Sequence, residues 1–331
     1  MKIQLIIVIL FFGLVSCNKT DNGSSGMPLN TQSNANDSTA TFKDYQTENV
    51  FIIVIDGPRY TETWGDASHQ YQPRLVDSLA AEGTVYTNFY NNGVTFTNPG
   101  HTAITTGNYQ ALDNRGGALP YRASIFQHWL KESGADSSKA WLITSKDKLQ
   151  VLANCYEREW NNLFMPSTNC GVGGNGLGSG YREDSLTFKQ IKTILNTHHP
   201  KLTLINFKEP DASGHRNNWN AYLNGIRNTD EYVYQIWNMI QNDTEYAYKT
   251  TMFVTNDHGR HLDGHLDGFV SHGDNCKGCR HINLFAIGPD FQKGQIITAY
   301  REQRDISATI AELMNFNFPT RKGEVMQELF K

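Results

Sequence analysis

The chain predicts an α/β domain built on a doubly wound, mostly parallel sheet with helices on both faces. Two observations point there. Strand-like and helix-like segments alternate along most of the 331 residues, the rhythm of repeated βαβ units. The strand-like segments, of which VFIIVI (50–55) is the clearest, include unbroken apolar runs, as expected where both faces of a strand are covered.

The elements follow in order. After the strand over 50–55, residues 71–82 predict a helix with Gly83 as its stop, and 85–90 a strand. A helix over 98–105 is expected to be capped by Thr97. A helix over 123–132, a strand over 140–144, a helix over 185–197, a strand over 202–207 (LTLINF) and a long helix over 220–240 come next. Strands over 251–255 (TMFVT) and 282–287 (INLFAI) precede a closing helix over 306–314, with Asp305 as its candidate cap. The stretch 171–180 (GVGGNGLGSG) lacks the Gly-Lys-Ser/Thr ending of a phosphate loop and predicts a mobile surface loop.

The N-terminus has the form of an export signal. Lys2 supplies a positive start, residues 3–12 are largely apolar, and Leu14-Val15-Ser16-Cys17 matches a bacterial lipobox. The apolar run is short for a transmembrane helix. Residues 1–17 are therefore expected to be a lipoprotein signal peptide, with Cys17 lipidated and the protein exported and membrane-anchored in the periplasm, the outer membrane or the cell surface. An ordinary signal peptide with a chance cysteine is the alternative. Residues 18–46, rich in Ser, Thr, Asn, Asp and Gly, predict a flexible tether, and 47–331 a single domain. The net charge of −4 and the absence of basic blocks leave no nucleic-acid-binding patch. An exported chain favours disulfides, here Cys155–Cys170 and Cys276–Cys279. The rival for Cys276-x-x-Cys279 is half of a zinc site, whose natural partner, a second CxxC, is absent.

Chemistry-bearing residues cluster at predicted strand ends. Asp56 ends the first strand; Asp211 and His215 follow LTLINF; Asp257 and His258 follow TMFVT. Carboxylates and imidazoles delivered by strand C-termini suit a metal site on an open α/β sheet. Each acid can instead be an ordinary turn or cap residue. Gly259 lets the chain turn so that Asp257 and His258 both face one ion. Among His261, His265, His272 and His281, His272 is chosen to complete a second ion site, with His265 and His281 as alternates and His101 as a structural residue. Thr97 lies between a strand and a helix, where a helix N-terminus and a metal would favour its alkoxide as nucleophile. An N-cap is the bland role for it, and Thr95 is a competitor. The ordered set points to a two-metal hydrolase with a threonine nucleophile.

This pattern resembles the alkaline phosphatase superfamily, and within it the nucleotide pyrophosphatase/phosphodiesterase branch. The matching strings are VIDG around Asp56, Thr97-x-Pro99-x-His101 with Thr106-Gly107, Glu209-Pro210-Asp211-x-x-Gly214-His215, Asp257-His258-Gly259, and His272-Gly273 before Gly288-Pro289. The resemblance implies that Asp56, Thr97, Asp257 and His258 bind one metal, and Asp211, His215 and His272 the other. It also calls for an asparagine amide near the phosphoryl oxygen; Asn114 is the nearest candidate, a few residues early. Sulfatases of the superfamily open the nucleophile string with Cys or Ser and end it in Arg, whereas here it runs from Thr97 to His101, which disfavours sulfate esters. The cofactor-independent mutases typically use serine in the cytoplasm.

The mixed nitrogen and oxygen donors fit two zinc ions, with manganese or iron as substitutes. Three aspartates and an alkoxide nearly balance two divalent ions, so a monoanionic diester needs less extra cationic support than a dianionic monoester. The expected substrate is thus a small-molecule phosphate diester, with a phosphomonoester close behind. Arg115, Lys146 and Arg260 are the cations that can alter this balance. Trp64 and Tyr109 are candidate pocket walls, with packing as their default role. A sulfatase-like hydrolase and a non-catalytic metal-binding lipoprotein are the further alternatives.

Overall fold

The computed structural model describes residues 43–331. The signal segment, Cys17 and most of the predicted tether lie outside the described residues. The tether ends earlier than residue 46: the Tyr45 hydroxyl donates to Glu312 at 3.0 Å, and the Gln46 amide donates to Asp290 at 2.9 Å.

Among the described residues nine strands form one sheet: β1 (Asn49–Ile55), β2 (Thr84–Tyr90), β3 (Ala140–Thr144), β4 (Ser167–Cys170), β5 (Leu202–Phe207), β6 (Thr250–Asn256), β7 (His281–Ile287), β8 (Gln295–Ile297) and β9 (Arg301–Glu302). The order is β4-β3-β5-β1-β6-β7-β2-β8, with β9 beside β2. Strands β4, β3, β5, β1 and β6 are parallel, whereas β7 runs antiparallel to both β6 and β2. The helices are α1 (Thr97–Thr106), α2 (Ile125–Ser133), α3 (Asp184–His198), α4 (Asp211–His215), α5 (Trp219–Gln241), α6 (Lys277–Arg280) and α7 (Asp305–Leu313). The doubly wound, mostly parallel α/β class is as expected.

The alternation of β1 shows why its run is apolar throughout. Val50, Ile52 and Val54 enter one core with Ile104 of α1, Phe126 of α2 and Ile310 of α7. Phe51, Ile53 and Ile55 enter another with Ile191 of α3 and Val233 and Ile236 of α5. Both faces are buried, so both favour apolar residues.

Three local expectations are corrected. Residues 71–82 do not form one α-helix but a π-helical stretch (Arg74–Leu79) running into a 3₁₀ turn (Ala80–Glu82). Asp230 of α5 accepts from the Arg74 and Leu75 amides at 2.8 and 2.9 Å, so a long-range carboxylate sets this start. Gly83 is extended (φ −133) rather than left-handed, and a Cβ there would lie 2.5 Å from the Phe285 ring, so close packing is what requires the glycine. Asp305 lies inside α7 and accepts from the Glu302 and Glu324 amides, tying two flanking segments together instead of capping. The favoured disulfides are also not formed: Cys155, Cys170, Cys276 and Cys279 are free. Cys155 packs with Ala123 and Trp160 while Cys170 sits in the large core beside β3, and Cys276 Sγ accepts from the Cys279 amide at 3.4 Å.

Ile53 is fully buried at the centre of β1. Ile53→Ala is expected to lower unfolding free energy by about 2–5 kcal/mol, read as a fall in the urea midpoint.

Candidate active site

Strands β3, β5, β1 and β6 are neighbours and parallel, so their C-terminal ends open on one edge. That edge delivers Lys146 after β3, Asp211 after β5, Asp56 after β1 and Asp257-His258 after β6. All five are buried. Gly57 adopts φ +64 directly after Asp56, and a Cβ there would lie 2.9 Å from Asp211 Oδ1. Helix α1 packs so closely that a Cβ on Gly100 would lie 2.4 Å from the Asp257 carbonyl.

Asp56, Asp257 and His258 form a first donor group, with one ligand atom from each within 4.8 Å of the others. His258 Nδ1 donates to the Gly259 carbonyl at 2.9 Å, which leaves the Nε2 lone pair facing inward. Nε2 lies 3.4 Å from Asp257 Oδ2 and 3.6 Å from Asp56 Oδ1, yet neither Nε2 nor Asp257 Oδ2 makes a hydrogen bond among the described residues. A buried imidazole lone pair facing two carboxylate oxygens is unfavourable unless a cation lies between them. These residues therefore fit a divalent ion. Burial lowers the His258 pKa to about 3, keeping the ring neutral. Burial, and then the nearby Asp257, raise the pKa of Asp56 well above the usual carboxylate value. His101 supports the group from behind, 2.9 Å from the Thr97 carbonyl and 3.4 Å from Asp257 Oδ2.

Asp211, His215 and His272 form the second group. His272 and His215 Nε2 lie 3.4 and 3.3 Å from Asp211 Oδ1, and 3.1 Å from each other. His272 Nδ1 donates to the Thr95 carbonyl at 2.7 Å, again leaving the Nε2 lone pair inward. His272 is thus the histidine of its loop that reaches the site. His281 stacks on Tyr60 with its Nε2 on the Thr87 carbonyl, and His265 pairs with Asp274. This group differs from the first in that Asp211 already serves two cations: Lys146 Nζ donates to Oδ2 at 2.7 Å and Arg260 to Oδ1.

Thr97 is buried and opens α1, but Phe96 is the N-cap and makes no side-chain cap bond. The expected capping role is not what occupies the Thr97 hydroxyl, which accepts from Lys146 Nζ at 3.1 Å. Thr95 points elsewhere, its hydroxyl 3.5 Å from Asn275. Lys146 Nζ also donates to Asp56 at 2.8 Å. Burial opposes its charge, but Asp211 and Asp56 outweigh burial and its pKa is raised. Asn114 lies at the same helix start, accepting from the Asn98 amide at 2.9 Å and from Lys148 Nζ at 3.2 Å. Lys148, buried, is the site cation that the sequence reading missed; burial and then Lys146 lower its pKa to about 8. Arg115 is exposed and paired with Asp113, so it does not join the site. Trp64 packs on Phe285 and Tyr109 bonds the Asn92 amide, both as packing residues.

The 171–180 segment, expected to be a mobile surface loop, is fastened to this cation turn. The Gly178 and Gly180 amides each donate to Asp147 Oδ2 at 2.9 Å, between the two lysines in sequence.

A buried threonine at a helix start beside acid–histidine pairs on a parallel sheet edge defines the class. The sulfatase family model matches residues 48–316, and the chain belongs to that family, within the alkaline phosphatase superfamily. Members of the superfamily are metal-dependent hydrolases of phosphate and sulfate esters. Among solved structures, the chain is similar to a phosphonate monoester hydrolase from Silicibacter pomeroyi (16% identity, 85% of this chain and 76% of that one, TM-score 0.63). It is also similar to the alkaline phosphatase PafA (11%, 86% and 99%, TM-score 0.62) and to murine ectonucleotide pyrophosphatase/phosphodiesterase 5 (14%, 86% and 100%, TM-score 0.59). At these identities the likeness is one of fold. A curated relative, the 2,3-bisphosphoglycerate-independent phosphoglycerate mutase of Gracilaria tenuistipitata var. liui, is 27% identical over 143 residues. The matched segment spans 42% of this chain and only about a quarter (26%) of that relative's length.

The two donor groups are expected to load unequally, because a cation joining the second must compete with Lys146 and Arg260 for Asp211. Zinc titration against a chelating dye should show a tighter and a weaker step, and Arg260→Gln, which removes a competing charge, should strengthen the weaker one by on the order of tenfold.

Proposed function

We propose that this protein is an exported two-metal phosphoric-ester hydrolase with Thr97 as nucleophile and a preference for phosphomonoesters. The observation that carries the monoester reading is the pair of buried lysines, Lys146 and Lys148, beside Thr97 and Asn114. The motif residues by themselves give a near-neutral site suited to a diester. Two ammonium groups add the positive charge that a dianionic monoester needs.

Asp56, Thr97, Asp257 and His258 would hold one divalent ion and Asp211, His215 and His272 the other, zinc suiting the donors best. Such ions supply Lewis-acid polarisation and charge neutralisation when bound. The protein's own groups do the rest. Lys146 donates to Thr97 Oγ1 and so favours its alkoxide form. In the first step the Oγ1–phosphorus bond forms and the bond from phosphorus to the ester oxygen breaks, releasing the alcohol and leaving phosphothreonine. Water then adds to phosphorus, the Oγ1–phosphorus bond breaks, and phosphate leaves with Thr97 restored. Asn114 and Lys148, at the helix start, would bind phosphoryl oxygens.

A phosphodiesterase is the second reading. The exposed Tyr181 ring, 5.6 Å from Lys146 Nζ, is a platform for an aromatic or nucleoside group on either side of the phosphorus. Lipidation of Cys17 would place the enzyme on a membrane outside the cytoplasm, acting on small-molecule esters. Membrane association lost in Cys17→Ser would support that placement.

The test compares p-nitrophenyl phosphate, bis-(p-nitrophenyl) phosphate and p-nitrophenyl sulfate. Thr97→Ala should abolish turnover while metal content stays. Lys148→Ala should lower kcat/KM for the monoester roughly 10²-fold, and much less for the diester. Diester or sulfate turnover exceeding that of the monoester would sink the preference.

The Lys148 charge is present below its pKa of about 8 and lost above it. Monoester kcat/KM should therefore fall on the alkaline side near that pH, and Lys148→Arg should move the fall upward.

A further inference from the structure

A second cluster of metal-ligating side chains lies outside the active site, in the loop that carries His272. His261, His265, Asp274 and Cys276 each offer a donor atom, and all four atoms lie within 4.8 Å of one another. Donors around a tetrahedral zinc are separated by roughly 3.3–3.8 Å, given bonds of about 2.0–2.3 Å, so small side-chain movements close this group on one ion.

The strongest sign is His261. It is buried, and its Nδ1 lies 2.8 Å from Asp267 Oδ1, which fixes the proton on that nitrogen. Ser271 donates to the same carboxylate oxygen at 2.7 Å and holds it in place. The Nε2 lone pair then points into the cluster, 3.3 Å from Asp274 Oδ1, with no hydrogen bond among the described residues. A carboxylate behind one imidazole nitrogen and an unpartnered lone pair at the other is the arrangement of a metal-binding histidine. His265 Nε2 lies 2.6 Å from the other oxygen of Asp274. Cys276 Sγ accepts from the Cys279 amide at 3.4 Å, a contact that steadies a thiolate. Cys279 Sγ donates to Asp274 Oδ1 at 3.5 Å and so orients the acid.

We propose that His261, His265, Asp274 and Cys276 bind a structural divalent cation, with zinc the best match to two imidazoles, a carboxylate and a thiolate. Cys276 needs no second CxxC: its co-ligands are Asp274 and the two histidines of His261-x-x-x-His265. The ion closes a loop of 261–276 that also carries His272, and so steadies the segment following Asp257 and His258. This proposal does not depend on the reaction assigned to the active site.

The experiment is elemental analysis of the full chain, grown with zinc and dialysed, for the wild type, His265→Ala and Cys276→Ser. His265 has a side chain 46% exposed, so its removal leaves the core intact. Each variant should hold one metal fewer per chain than the wild type, with unchanged circular dichroism, whereas Thr97→Ala should keep this ion. Cobalt-loaded wild type should show a thiolate-to-cobalt charge-transfer band that Cys276→Ser lacks. Equal metal content in all forms, no charge-transfer band, or a Cys276–Cys279 disulfide in the unreduced chain would overturn the proposal.

Discussion

Three carboxylates buried in one crevice, Asp56, Asp211 and Asp257, are the constraint to which the rest of the structure responds. Removing even one such charge from water costs several kcal/mol in a real protein, and like charges at close range add to it. The parallel sheet makes the crowding unavoidable, because β5, β1 and β6 are neighbours whose ends open on the same edge. The cluster persists because cations surround it. Lys146 spans Asp56 and Asp211, and Arg260 holds the far oxygen of Asp211. Divalent ions would complete that compensation, and the inward lone pairs of His258 and His272 are already oriented for them.

The same electrostatics links the fold to substrate choice. A site neutralised only by its metals suits a monoanion better than a dianion. Each fixed ammonium beside the nucleophile shifts the preference towards the more highly charged ester, since the bound state recovers more Coulomb energy in a water-poor setting. Thr97 gains from its neighbour as well, because a hydroxyl accepting from an ammonium carries less cost as an alkoxide.

The strands and the acids at their ends were legible in the sequence because both signals are local. An apolar run such as VFIIVI announces a buried strand, and an acid after it announces the crevice. Lys148 gave no such signal, and Lys146 stood only as one of three candidate cations: lysine is ordinarily a surface residue, and tertiary packing is what shows these two to be buried. The antiparallel direction of β7 was equally hidden, because strand direction is set by the connections rather than by composition. The helix expected over 71–82 failed for a related reason. Its start is governed by Asp230, more than 150 residues away. The nearness of His261 and His265 to Cys276 was hidden because a mixed donor set has no local repeat to announce it, unlike a pair of CxxC motifs.

The glycine stretch at 171–180 resembles a phosphate cradle in composition and becomes an anion cradle in fact, but the anion is the protein's own Asp147. Two backbone amides thereby fasten the turn from which the flanking lysines reach Asp56, Asp211 and Asn114. The charge beside the site is therefore adjustable from a distance in this architecture. A change in the length of that outlying loop would act first on the turn between the two lysines, and through Lys146 on Thr97 as well.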